Sequence, residues 1–177
     1  MKLFIQISLL TLLCFFPNHS LNAQQTTNLW ANWDFLLGDW VADGKGEPGE
    51  IKGWFTLKAD LDKNVLVRKN LAEYAATKDR PASVHEDLMI VYPGMNGGPA
   101  RAIYFDNEKH VINYTVSYGE SEKAVILTSE GQVGAPRFRF TYKKIDGKKI
   151  KTIFEIAPAG KPEAFSVYVE GTAHRKN

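Results

Sequence analysis

The sequence predicts an all-β protein, a single antiparallel up-and-down β-barrel of about ten strands with a short N-terminal helix closing one end. Three observations predict it. Beyond Gly38 the chain alternates short apolar and polar runs between turn residues spaced roughly 8 to 12 positions apart, the rhythm of sandwiches and antiparallel barrels. Most connections are short enough for hairpins, and a meander of hairpins closes simply into a cylinder, whereas Greek-key sandwiches need longer crossovers. Finally, Trp30, Trp33 and Trp40 stand close together just before and inside the first strand, aromatic bulk suited to stopping a barrel end.

In the opening segment Trp30, Trp33 and residues 35–37 fall at helical spacing, with Asn28 or Thr27 as N-cap and Gly38 as a stop. One or two turns of helix would lay the rings across the open end and exclude water. Each ring buried there contributes about 2–3 kcal/mol. The first strand, 39–44, gives way to the loop "GKGEPGE". Strands at 51–59 and 65–76 meet through Asp62-Lys63-Asn64, and "TKDRPAS" leads to a strand at 84–92. The glycine-rich "GMNGG" at 94–98 lacks the lysine and following helix of a phosphate cradle, and is expected as a loop at the barrel mouth. Strands at 101–106, 110–119, 123–130, 137–145 and 149–157 follow through compact turns, and 164–175 closes the chain.

Period-two alternation assigns faces. In "RFRFTYKK" the aromatic set Phe138, Phe140 and Tyr142 points inward and Arg137, Arg139, Thr141 and Lys143 outward. The same test turns Ile112, Tyr114 and Val116 inward, with Ile150, Thr152, Phe154 and Ile156, and with Phe165, Val167 and Val169. In the third strand Val65 and Val67 compete with Leu66, Arg68 and Asn70, and neither face prevails. Arg68 or Tyr104 turned inward would need a partner or a ligand. The plainer expectation places both at the rim or outside.

Residues 1–23 carry Lys2, an apolar stretch from Leu3 to Phe16, a Pro-Asn breaker and a small residue at Ala23, the order of a secretory signal peptide. The run is shorter than the ~20 residues of a spanning helix. Cys14 lies inside it and follows Leu13, which argues against a lipid anchor. Residues 24–177 then form one domain, expected to be secreted or periplasmic. That part has no cysteine, so thiol chemistry and disulfides are excluded. Removing Lys2 from 22 basic residues leaves 21 against 20 acidic ones, with no footprint for nucleic acid or an anionic membrane.

The phrase "DFLLGDW" at 34–40, followed by a strand, resembles the Gly-x-Trp opening of the calycin superfamily: lipocalins, fatty-acid-binding proteins and nitrobindin-like barrels. It is most similar to secreted bacterial calycin-like families of unknown function, over most of residues 30 to 175. The resemblance implies that Trp40 packs under an arginine of the last strand, here Arg175. Lipocalins usually add a C-terminal helix and disulfides. This chain has neither, which points toward the ten-stranded, cysteine-free members.

The resemblance also implies a carrier, a non-enzymatic barrel that binds a small apolar or amphipathic molecule without a cofactor. Tyr104, Tyr114, Phe138, Phe140 and Phe154 are the candidate lining; alternatively these rings meet in the middle and leave a filled, protein-interaction module. Nitrobindin likeness raises a haem alternative with peroxynitrite-related activity, for which His174 is the candidate ligand. His85 and His110 read as surface or turn residues, and no metal-ligand spacing links the histidines. Glu73, Glu86, Asp87 and Glu155 read as outward, solvated carboxylates rather than an acid–base pair. No Gly-x-Ser-x-Gly elbow is present.

Overall fold

The computed structural model describes residues 28–44, 50–119 and 123–176. The expected leader, including Cys14, and most of the "GKGEPGE" loop lie outside the described residues. Ten antiparallel strands form a closed barrel: β1 (Gly38–Ala42), β2 (Glu50–Asp60), β3 (Val65–Tyr74), β4 (Ser83–Tyr92), β5 (Arg101–Asp106), β6 (Val111–Tyr118), β7 (Ala124–Ser129), β8 (Arg137–Lys144), β9 (Lys149–Ala157) and β10 (Ser166–Arg175). Each strand pairs with its sequence neighbours, and β1 closes the ring against β10 through Trp40↔Arg175, Val41↔His174 and Ala42↔Ala173. Closure gives every strand a neighbour on both sides over at least part of its length.

The opening segment forms a single 3-10 turn, Ala31–Trp33, rather than the expected one or two turns of regular helix. The Trp33 amide donates to the Trp30 carbonyl and the Leu36 amide to the Trp33 carbonyl, both at 2.7 Å, the i to i+3 pattern of a tight turn. Trp30, Trp33 and Leu36 are all buried. Asn28 starts the segment by accepting the Trp30 amide at 3.1 Å. The two indoles then reach different hairpins: Trp30 Nε1 donates to the Lys63 carbonyl at 2.8 Å and Trp33 Nε1 to the Tyr118 hydroxyl at 3.2 Å.

Trp40 and Arg175 meet as the resemblance implies. The guanidinium carbon lies 4.7 Å from the indole centroid, and Phe55 stacks on the same indole with ring centroids 6.0 Å apart. Arg175 donates to the carbonyls of Leu37 at 2.6 Å and Phe35 at 2.9 Å, and Trp40 Nε1 to Leu36 at 2.8 Å. One arginine thereby fastens the entering segment to the last strand.

Two expectations are corrected. In an up-and-down meander the connections alternate between ends, so 94–98, joining β4 to β5, lies at the tryptophan end with the β2–β3 turn and not at the mouth. Phe165 and Val167 do not point inward. The register shifts between Val167 and Val169, so Tyr168 is an extra residue and parity inverts across it. Val169 keeps its inward place, Val167 is exposed, and Phe165 lies outside under Arg139, 4.3 Å from its guanidinium.

Candidate functional site

The barrel is filled over only part of its length. Toward the tryptophan end, Leu57, Leu66, Val91, Val125, Leu127 and Ile150 are buried in one cluster with Leu36 and Trp40. Toward the other end the inward positions of β1, β3 and β10 carry Ala42, Ala72, Gly171 and Ala173, too small to reach the axis. A cavity of about 920 Å³ remains there. The lower barrel is filled by these side chains, whereas the five rings of the filled-core alternative border the open space above.

All five expected lining residues, Tyr104, Tyr114, Phe138, Phe140 and Phe154, border the cavity. They divide between two walls. On β8 and β9 the rings form an apolar wall: Phe138 stacks on Phe154 at 5.9 Å, Phe140 lies 6.1 Å from Phe154, and Tyr168 closes edge-on at 6.2 Å. On β5 and β6 Tyr104 and Tyr114 meet edge-to-face at 6.5 Å and belong to a polar wall.

That polar wall runs from β3 to β6. Arg68 faces inward and is 8% exposed, with Leu66, Asn70 and Ala72 on the same face, which settles the third strand. The expected rim or outside position of Arg68 and Tyr104 is thus corrected. Arg68 Nη1 pairs with Asp87, whose other oxygen accepts Asn70 Nδ2 at 2.9 Å. The guanidinium also lies over Phe55 at 5.3 Å and Phe140 at 5.8 Å, so it forms the cavity floor where the filled core begins. Burial, the largest single influence, works to lower its pKa, but the Asp87 charge together with the neighbouring Tyr142, Tyr104 and Tyr114 turns the net direction upward.

Asp87 is likewise turned in, its side chain 4% exposed, which corrects its reading as a solvated outward charge. Glu73, paired with Lys52, and Glu155, paired with Arg139 at 2.6 and 2.7 Å, do face out as expected. Next along the wall, His85 Nε2 lies 3.1 Å from the Tyr104 hydroxyl and 3.6 Å from Asp87 Oδ2, and Nδ1 lies 3.3 Å from Glu108. Both ring nitrogens face acceptors. The hydrogen bond toward Asp87 raises the His85 pKa more than burial lowers it, with Glu108 adding to the rise. His85 therefore belongs to the cavity and not to the surface.

Tyr104 donates to Asp106 at 3.3 Å. Burial works to raise the Asp106 pKa, yet the His110 amide at 2.9 Å, the His110 ring at 2.8 Å and the Glu108 amide at 3.0 Å bring it below the ordinary value. The tyrosine hydroxyls shift the other way. Burial, followed by the Asp87 charge, raises both Tyr104 and Tyr114, and burial pushes Tyr142 up to about 12. All three are neutral donors at physiological pH.

His174 stands on the outward parity of β10. Its Nδ1 lies 2.7 Å from Asp43, and it does not line the cavity. Hydrogen bonds from Thr172 and His174 bring Asp43 down to about 2. An iron held within the cavity would not meet the His174 ring. Among the described residues no cluster of three His, Cys, Asp or Glu side chains is arranged to hold a metal ion.

The inward polar residues had a legible signal. His85-x-Asp87-x-Met89-x-Val91 and Tyr104-x-Asp106 each have period two, so placing Met89 and Val91 in the core forces His85 and Asp87 inward as well. Compared with known proteins, the chain matches no family model and no curated protein.

Proposed function

We propose that this protein binds a small amphipathic molecule inside the barrel, outside the cytoplasm, and does not transform it. The observation that carries the reading is the half-filled barrel: a cavity of about 920 Å³ with an aromatic wall facing a polar one. Concave apolar sites with a few convergent polar groups are the usual seats of small ligands, and this volume falls in their range. The closed ten-stranded barrel and the Trp40–Arg175 contact are compatible with calycin-like architecture, whose members are mostly carriers. A ligand lying with its apolar part on Phe138, Phe140 and Phe154 would direct its polar end toward Arg68, Asn70 and Tyr114.

The test is titration of the mature protein with retinol and with a fluorescent fatty acid, read by probe fluorescence. At least one is expected to bind with micromolar affinity or better. Ala72→Phe, which places a ring in the open upper barrel, is expected to weaken binding at least tenfold while leaving the far-UV spectrum unchanged. Failure of both probes to bind the folded protein overturns the carrier reading.

A further inference from the structure

Resting on that reading, we infer that the cavity is built for a ligand whose polar end is uncharged, an alcohol, ketone or amide, and discriminates against the corresponding carboxylate. The argument begins with the one cation at the floor. Arg68 is more than nine-tenths buried and its Nη1 is already committed to Asp87, so its charge is balanced before any ligand enters. Its Nε is sealed from solvent and has no hydrogen-bond partner among the described residues. The Tyr114 hydroxyl, on a buried residue lining the same space, is also unused by the described residues. Hydrogen-bond donors are thus present without free positive charge.

Asp87 and Asp106 stand directly opposite one another on β4 and β5, each with its side chain 4% exposed. A ligand carboxylate brought to Arg68 would be the third anion on this wall, in a place with little water to screen it. His85 and His110 supply no spare charge, because they are turned onto Asp87, Glu108 and Asp106. At the rim the cavity is bordered by the cations Arg80 and Lys109 together with the anions Glu108 and Glu170, so this positive charge lies at the mouth and not at the floor. An uncharged oxygen meets none of these penalties. It accepts from Tyr114 or Arg68 and leaves the Arg68–Asp87 pair intact.

The experiment compares matched ligands on the wild-type protein at pH 7.5, with Nile red as the neutral reporter: dodecanol against dodecanoate, and retinol against retinoic acid. The alcohols are expected to displace the reporter at concentrations at least tenfold below those of the acids. Acids that compete as well as or better than their alcohols, including by lying head-out against Lys109, overturn the inference but leave the carrier reading standing. Binding of neither class, nor of the reporter, removes both. Asp87→Asn frees the guanidinium charge and is expected to strengthen dodecanoate at least tenfold; a folded variant that gains nothing counts against the proposal. The pair-removing double variant Arg68→Met with Asp87→Leu should keep the preference for the alcohol, since it frees no cation, and reversal of that preference is equally adverse.

Discussion

Gly38 shows how much a single position can require. Its φ of +125° is reached readily only by glycine, and a Cβ there would lie 2.8 Å from Arg175 Nη1. The glycine of the Gly-x-Trp phrase therefore lets Arg175 reach the Leu37 and Phe35 carbonyls while Trp40 slides under its guanidinium. Gly38→Ala is expected to destabilise the fold by about 1–3 kcal/mol, measured by urea unfolding. His85 makes a pH-dependent contribution. Its pKa is raised in the folded state, so the stabilisation is full below the unfolded value and is lost as pH rises through the folded one. The stability difference between wild type and His85→Gln should accordingly be larger at pH 5.5 than at pH 9; an NMR titration of the ring that shows a lowered pKa would contradict this.

At the scale of elements, β10 has two tasks that its sequence divides between its halves. The first half, before the extra residue Tyr168, turns Val167 outward and leaves Phe165 against Arg139. Its second half recovers the inward parity and supplies Gly171 and Ala173 to the cavity wall and Arg175 to the plug. The last residues also make every pair between β10 and β1. Truncation after Gly171 is expected to open the ring and expose β1 and β9 as edges. Size-exclusion chromatography should then show association, and near-UV circular dichroism the loss of the packed tryptophan environment. A monomeric, natively packed truncation would show that closure by β10 is dispensable.

Across the whole molecule, the barrel combines a solid lower core with an open upper chamber, and Arg68 marks the boundary between them. Much of this was legible in the sequence. Turn spacing and hairpin lengths gave the strand count and the meander, because those depend on local backbone chemistry. The aromatic faces of β6, β8 and β9 followed from alternation alone. Those faces include Tyr114, Phe138, Phe140 and Phe154, whereas Tyr104 was expected at the rim or outside and lies in the cavity wall. Alternation failed where its assumption of an unbroken pleat failed, at Tyr168, and where polar residues occupied inward positions. A lone Arg68, Asp87 or His85 on a strand reads as a solvated charge, since the cost of burying it is removed only by a partner on another strand.

By itself, then, the sequence determined the all-β character, the order of strands, the tryptophan-bearing entry and most of the ring-lined wall, since each rests on periodicity or turn chemistry within a few residues. Only the tertiary structure decided that Arg68, Asn70, His85, Asp87, Tyr104 and Asp106 share one wall, and that small residues opposite them leave space. The reason is register. Which side chains neutralise one another depends on how β3, β4 and β5 slide past each other, and no single strand encodes that alignment.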